Sequence, residues 1–189
     1  MPDDKIVSFE DEKLILVDDE DNETGYCSKL ECHQGDGMLH RAFSIFIFND
    51  QRELLIQKRA GDKLLWPHIW SNSCCSHPRK GERIESAASR RLEEELGIRT
   101  DLKFLYKFKY HASYEDVGSE NELCSVFIGR SGEEPLVNRN EISEWKYVLL
   151  GEVSAELSSN PDLYSPWFKM EWERISTEFM MQVEELFTS

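Results

Sequence analysis

The chain has little positive charge for its size. Its 22 lysines and arginines stand against 37 aspartates and glutamates, which gives a formal net charge of −15 at pH 7 over 189 residues. A field of this sign repels nucleic acids and anionic membrane surfaces, so the composition argues against a general binder of either. If the substrate is itself an anion, a local group of cations must hold it against the field of the whole molecule.

The sequence also lacks long hydrophobic runs. No stretch approaches the length of a membrane span, and residues 1–5 are polar and acidic where a targeting segment would be hydrophobic. Five cysteines, an odd number, then indicate free thiols in a reducing compartment, so we expect a cytoplasmic protein. A chain of 189 residues with no internal repeat, no low-complexity tract and no clear linker favours one domain. We expect a monomer or weak dimer.

Short apolar runs rich in β-branched and aromatic residues predict strands. Residues 42–48 and 53–59 form a predicted hairpin across a turn at 49–52. The acidic residues 18–25 are interpreted as a turn, because the spacing of an EF-hand calcium loop is absent. The other predicted strands are residues 14–17, 104–110, 122–128 and 145–150.

Two segments predict helices. Apolar residues recur every fourth position in residues 84–96, and Gly97 is placed to end that helix. Ser165 is a suitable N-cap and Pro166 suits the first position of a C-terminal helix that reaches about residue 187.

A run of small polar residues at 71–78 contains Cys74, Cys75 and His77. Because Pro78 cannot donate to a strand ladder, we interpret this run as a loop. A thiol and an imidazole just before a helix of carboxylates indicate a reactive site beside a metal, with Cys75 as a candidate acid or base. The alternative is that both cysteines are small buried residues and the histidine lies at the surface.

Glu120 and Glu122 are two residues apart in a predicted strand, so both side chains lie on one face. Two like charges at that distance repel unless a cation lies between them. With His33, His40 and His77 they form a mixed nitrogen and oxygen set that suits a six-coordinate divalent ion such as Mg²⁺, Mn²⁺ or Zn²⁺. The alternative is a solvated strand end and surface histidines. The candidate cations for an anionic diphosphate are Lys29, Arg59, Lys63 and Arg91.

Five separated motifs occur in order along the chain: His33 with His40, residues 72–78, Tyr110, residues 120–122 and residues 165–167. Together they resemble the type I isopentenyl-diphosphate isomerases, a family with the Nudix fold. The resemblance covers most of residues 29–170. In the Nudix box, Ser76 stands in place of a glycine and Arg91 in place of the first glutamate of the pair; the isomerases show similarly degenerate boxes.

The resemblance implies an α+β fold, an α/β/α sandwich in which a mixed β-sheet is flanked by helices. It implies a single domain over residues 1–189. The core would span about residues 38–152, with an N-terminal extension at 1–37 and a C-terminal helical segment at 153–189.

The resemblance also implies the reaction, which converts isopentenyl diphosphate into dimethylallyl diphosphate through a tertiary carbocation. Cys75 and Glu122 would be the acid and the base, in an order that stays open, with Tyr110 close to Glu122. The indole of Trp167 would face the cation. One Mg²⁺ would bridge the diphosphate to Glu95 and to the backbone carbonyl of Cys75. A second divalent ion would occupy the His/Glu set, and the four cations would bind the phosphates.

Two other functions fit parts of the sequence. A Nudix pyrophosphohydrolase acting on nucleoside diphosphate compounds would use Glu94 and Glu95, but it leaves Cys75 and the three histidines without a role. A non-catalytic module with a structural zinc and a redox-sensing cysteine explains the histidines and cysteines, but it leaves the basic residues and Trp167 without one.

Overall fold

The aromatic and β-branched run of residues 40–48 forms the central strand. A computed structural model describes residues 5–188, and in it this strand is β3 (His40–Phe48). It pairs in parallel with β8 (Gly118–Arg130) along its whole length and meets β4 (Glu53–Arg59) in the expected antiparallel hairpin. Residues 42–48 of β3 are all buried, because helices cover both faces of the sheet.

The remaining strands extend this centre into one mixed sheet. A hairpin of β1 (Lys13–Val17) and β2 (Glu23–Ser28) reaches β3 through a single residue pair. Two longer strands add to the neighbours of β3: β7 (Lys103–Tyr114) pairs with β8, and β9 (Ile142–Leu149) pairs with β4. Two short strands, β5 (Trp70–Ser71) and β6 (Cys74–Ser76), pair with β4 and β3 respectively.

Helices lie on both faces of the sheet, so the expected α/β/α architecture is confirmed. The helix α2 (Ile84–Leu96) has the predicted bounds and buries its apolar face against alternate residues of β3. The opposite face is covered by α4 (Pro166–Glu178) and α5 (Met180–Glu185). Two short helices complete the chain, α1 (Lys29–Cys32) and α3 (Val153–Ser159). No helix within residues 5–188 is both long enough and apolar enough to cross a membrane.

The prediction of a loop over residues 71–78 was wrong. Cys74, Cys75 and Ser76 form β6 and pair with β3, so Cys75 lies opposite Ser44. Pro78 does not interrupt this ladder, because it lies beyond the last paired residue. Pro78 thus limits the strand only beyond Ser76.

The long C-terminal helix was also predicted too simply. It breaks at Phe179, which leaves the helical conformation while its ring stacks on Tyr106 at a centroid distance of 4.8 Å. At the start of α4, Ser165 does occupy the N-cap position, but its hydroxyl makes no capping bond. The turn predicted at residues 18–25 ends earlier than expected, since β2 already begins at Glu23.

Gly97 ends α2 in the left-handed conformation, with φ of 67°. A side chain there costs about 1–2 kcal/mol in backbone strain, and an added Cβ would also lie 2.9 Å from Cβ of Leu136. We therefore expect Gly97→Ala to lower the free energy of unfolding by about 1–2 kcal/mol or more, measured by urea denaturation. Gly151→Ala is the control, because its added Cβ meets no atom within 4 Å and its φ is not positive. Equal losses in both variants would contradict this account.

Candidate active site

The candidate residues converge on one cavity of about 250 Å³. Of the residues that the resemblance to the isomerases assigned to the site, His40 alone does not line the cavity; its side chain is fully buried. The N-terminal segment contributes Ile6, Ser8 and Glu10 to the rim. The lining residues anticipated from sequence are Lys29, His33, Arg59, Lys63, Cys75, His77, Arg91, Glu95, Tyr110, Glu120, Glu122 and Trp167.

Three histidines and two glutamates form a buried cluster at one side of this cavity. One ligand atom from each of His33, His40, His77, Glu120 and Glu122 lies within 4.8 Å of all the others. Nε2 of His33 is 2.8 Å from Oε2 of Glu120, and Nε2 of His77 is 2.8 Å from Oε1 of Glu122. The parallel register of β3 and β8 makes this possible, since it sets His40 opposite Glu122.

The cluster fits a divalent metal ion. Nδ1 of His33 lies 2.6 Å from the carbonyl of Lys29, and Nδ1 of His40 lies 2.7 Å from the carbonyl of Met38. These carbonyls can only accept, so they fix the tautomers that direct Nε2 of both rings into the cluster. Nε2 of His40 is buried and makes no hydrogen bond to any group in residues 5–188. A buried ring nitrogen with a free lone pair beside two carboxylates is a donor set that an ion would satisfy.

Protonation within the cluster follows burial and charge. Burial alone would lower the pKa of His33, but the Glu120 carboxylate outweighs it and raises that pKa to about 9. Burial, then the neighbouring imidazoles, lowers the pKa of His77 well below its usual value. Burial would raise the pKa of Glu122, but the nearby His40 ring, whose Nε2 lies 3.6 Å from Oε1, and the Tyr110 hydroxyl hold that pKa below its ordinary range. One face of the cluster therefore carries a proton that a bound cation would displace.

Glu122 also reaches toward the middle of the cavity. The hydroxyl of Tyr110 donates to its Oε2 at 2.6 Å, and burial followed by the charge of Glu122 raises the pKa of Tyr110 well above its usual value. The thiol of Cys75 lines the same cavity, and burial raises its pKa to about 12 although Arg59 acts in the opposite direction. The cavity thus holds a carboxylate, a phenol and a thiol as groups that can carry or accept a proton.

The four basic side chains that line the cavity each already have a partner within the protein. Lys63 pairs with Glu141, Lys29 donates to the Ser8 hydroxyl, and burial lowers the pKa of Lys29. Arg59 donates to the carbonyls of Leu65 and Trp66 at 3.0 Å, and its guanidinium lies 5.3 Å from the centroid of the Trp167 ring. The cavity is therefore lined by four basic side chains, and one of them, Arg59, lies against the aromatic ring of Trp167.

Arg91 is the most constrained of these cations. Its guanidinium donates to Oε1 of Glu95 at 2.6 Å and 3.0 Å, to Glu141 at 3.1 Å and to the carbonyl of Val7 at 2.7 Å. These partners raise the pKa of Arg91 in spite of its burial, so the side chain stays charged. Arg91, which replaces the first glutamate of the pair in the Nudix box, is thus a fixed positive charge against Glu95.

Sequence reasoning missed Glu141 and the rim segment. Glu141 is buried and joins Lys63 to Arg91, yet it lies in a turn that carried no periodic or motif signal. Residues 6–10 carry no motif that would place them against the cavity. Neither contact has a local sequence pattern, because each joins segments that are far apart in the chain.

Comparisons with known proteins place this geometry in a family. Residues 38–168 match the family model of the NUDIX domain. The chain is 47% identical over 166 residues to the isopentenyl-diphosphate delta-isomerase 1 of Photorhabdus laumondii, covering 87% of this chain and 94% of that protein. The chain belongs to the isopentenyl-diphosphate isomerase family. A second isomerase of this family from the same organism is 46% identical and is covered over 99% of its length.

A solved structure supports the fold independently. The crystal structure of DR0079 from Deinococcus radiodurans superposes with a TM-score of 0.72 at 22% identity, covering 86% of this chain and 98% of that one. Identity at this level shows the shared fold alone. The isomerase family and its NUDIX architecture thus agree with the resemblance that the sequence motifs indicated.

Metal binding should depend on the His/Glu cluster and on pH. We expect His40→Ala and Glu120→Gln to lose most of the bound divalent metal, measured by elemental analysis after dialysis. Because a protonated imidazole cannot ligate, affinity should rise with pH toward about 9, the pKa of His33, and binding at pH 7.5 should release a proton. Calorimetry in buffers of different ionisation enthalpy measures that proton.

The matched control for the metal experiment is His111→Ala, which removes an exposed histidine outside the cluster. It should keep the wild-type metal content. Unchanged metal content in both His40→Ala and Glu120→Gln would refute a site shared by these residues.

Proposed function

We propose that this chain interconverts isopentenyl diphosphate and dimethylallyl diphosphate, as the names of its relatives state for those proteins. The observation that carries the proposal is the content of one cavity: the Cys75 thiol, the Glu122 carboxylate and the Trp167 indole beside a metal-ligand cluster and four cations. This combination suits a small diphosphate whose reacting part is an alkene.

Cys75 and Glu122 are the acid and base of the proposed reaction. One of them adds a proton to the terminal carbon of the alkene, which leaves a positive charge on the tertiary carbon. The other removes a proton from the neighbouring carbon, and the double bond forms there. Tyr110 holds the Glu122 carboxylate through its hydroxyl, and the Trp167 ring stabilises the cation through its π face.

The ionic groups hold the substrate. The diphosphate binds to four basic side chains, Lys29, Arg59, Lys63 and Arg91. Their positive charge offsets the repulsion between an anion and the negative net charge of the chain. The His/Glu cluster would hold a divalent ion, Mn²⁺, Mg²⁺ or Zn²⁺, which would supply a positive charge beside the Glu122 carboxylate. Glu95 and the backbone carbonyl of Cys75 would hold Mg²⁺, which would neutralise charge on the diphosphate.

We extend the proposal to the domain organisation, the oligomeric state and the location of the protein. The chain works as a single domain over residues 1–189, with the core, extension and helical segment at the boundaries given above, and as a monomer or weak dimer. It acts in the cytoplasm on a small allylic or homoallylic diphosphate and needs neither a membrane nor a nucleic acid.

The cavity also separates this proposal from a nucleotide pyrophosphohydrolase. Glu94, which that enzyme would need, pairs with Arg90 at 2.9 Å and is not among the lining residues. Arg91 fills the position of the first glutamate of the pair and binds Glu95 instead. The carboxylates available for a hydrolytic metal cluster are therefore reduced on α2, and we favour the isomerase.

One assay tests the reaction directly. The purified protein is incubated with isopentenyl diphosphate, Mg²⁺ and Mn²⁺ in deuterated water, and the product is analysed by mass spectrometry. Protonation of the alkene from exchangeable groups should place deuterium in dimethylallyl diphosphate. Release of phosphate from nucleotide substrates, without any dimethylallyl diphosphate, would overturn the proposal in favour of a hydrolase.

Cys75 should be the reactive thiol, and its neighbour should not. We expect Cys75→Ala to lose at least about two decades of kcat, the usual scale for a positioned acid or base. Cys74→Ala is the matched control, because this thiol is fully buried on the opposite face of β6, against α2. It should keep its activity. A Cys75→Ala protein as active as the control would remove Cys75 from the mechanism.

A further inference from the structure

A fully buried polar network lies behind the wall of the cavity, between Trp167 and the strand that carries Cys75. The indole N–H of Trp167 donates to the Ser71 hydroxyl at 2.9 Å and to Oδ1 of Asn72 at 3.2 Å. Ser71 donates to the same Oδ1 at 2.9 Å, and its oxygen lies 3.0 Å from the hydroxyl of Ser165. Ser71, Asn72 and Ser165 have no exposed surface.

Asn72 uses its whole amide in this network. Its Nδ2 donates to the carbonyl of Cys74 at 2.9 Å and to the carbonyl of Ile45 at 3.2 Å. Because both of these partners can only accept, the orientation of the amide is determined, and Oδ1 must face the indole. One side chain thus contacts the edge of the Trp167 ring and the residue that directly precedes Cys75.

This connection matters because the two groups come from distant elements. Trp167 stands at the start of α4, on one face of the sheet, and Cys75 belongs to the short strand β6. A π face stabilises a cation only when the charge lies over the ring, and proton transfer requires the donor within hydrogen-bond reach of the carbon. The ring and the thiol must therefore hold a fixed mutual position around a substrate of five carbons.

We propose that Asn72, assisted by Ser71, is a positioning residue for this reaction: it fixes the Trp167 ring relative to the Cys75 thiol. The inference rests on the isomerase function proposed above. Asn72 touches neither the substrate nor the reacting atoms, and it acts through the indole N–H on one side and the Cys74 carbonyl on the other. Loss of this connection should lower kcat more than it changes KM, because the ground-state alkene carries no charge to be stabilised.

A double-mutant cycle tests whether the network acts through the indole. Trp167→Phe keeps an aromatic ring but has no N–H to donate. Ser71→Ala should lower kcat about tenfold in the otherwise wild-type protein and less than twofold when combined with Trp167→Phe, with KM for isopentenyl diphosphate within about twofold throughout. An equal loss of kcat in both backgrounds, or a rise in KM at constant kcat, would overturn the proposal.

Asn72→Ala should have a larger effect, because it loses both ends of the connection. We expect kcat to fall about 100-fold, and part of this loss should persist beside Trp167→Phe, since the bond to the Cys74 carbonyl is also gone. If Asn72→Ala fails to fold in a thermal melt, the Ser71→Ala cycle decides, because that variant removes a single oxygen atom.

The same helix offers a matched control. The indole of Trp172 donates to the Ser154 hydroxyl at 3.0 Å, which is the same kind of bond on α4, but neither residue lines the cavity. Ser154→Ala should leave kcat unchanged. A loss equal to that of Ser71→Ala would assign both bonds to the docking of α4 and would contradict a specific positioning role.

An NMR measurement without substrate tests the positioning role separately from the proposed isomerase reaction. The indole N–H signal of Trp167 in a ¹⁵N-correlated NMR spectrum should shift and exchange faster with solvent in Ser71→Ala and Asn72→Ala. An unchanged signal in both variants would refute the positioning role whatever the activity. If the wild-type protein forms no dimethylallyl diphosphate, the function fails by itself, while the indole signal still reports whether Asn72 holds the ring.

Discussion

The register between β3 and β8 sets the geometry of the site. In this parallel pair His40 lies opposite Glu122, so an imidazole from one strand and a carboxylate from the next meet at the same end of the sheet. Side chains alternate between faces along a strand, and a slip of one residue would turn Glu120 and Glu122 away from the histidines. A slip would also exchange the side chains that β8 gives to the two core layers, Val126 and Ile128 on one face and Phe127 on the other, so close packing on both faces opposes it.

The same central strand connects the His/Glu cluster to the Cys75 thiol. On its other side β3 pairs with β6, which places Cys75 opposite Ser44. Charge is then balanced locally: Arg91 is enclosed by Glu95 and Glu141, and Lys63 by Glu141. In this way a chain of strongly negative net charge holds basic side chains at fixed positions in the cavity, where they can contact an anionic ligand.

Local patterns predicted the regular elements well. The bounds of α2 follow from a four-residue apolar repeat with a glycine at its end, and those of β4 from the short apolar run of residues 54–56 after a hairpin turn. The members of the His/Glu cluster were found from ligand chemistry and from the period of a strand. The parallel pairing of β3 with β8, the strand at Cys74–Ser76 and the break at Phe179 depend on contacts with distant residues. The contacts of Glu141 and Asn72 were missed for the same reason, because each joins segments that are far apart in the chain.

The contact between Val7 and Arg91 has a practical consequence for handling the protein. The carbonyl of Val7 accepts from Arg91 and from Arg79, and Ile6 lies at the rim of the cavity. Two guanidinium groups therefore hold this segment against one edge of the cavity. A deletion of residues 5–8 would take an acceptor from Arg91 and would remove Ile6 and Ser8 from the cavity wall. Protein for binding and kinetic work therefore needs this segment intact.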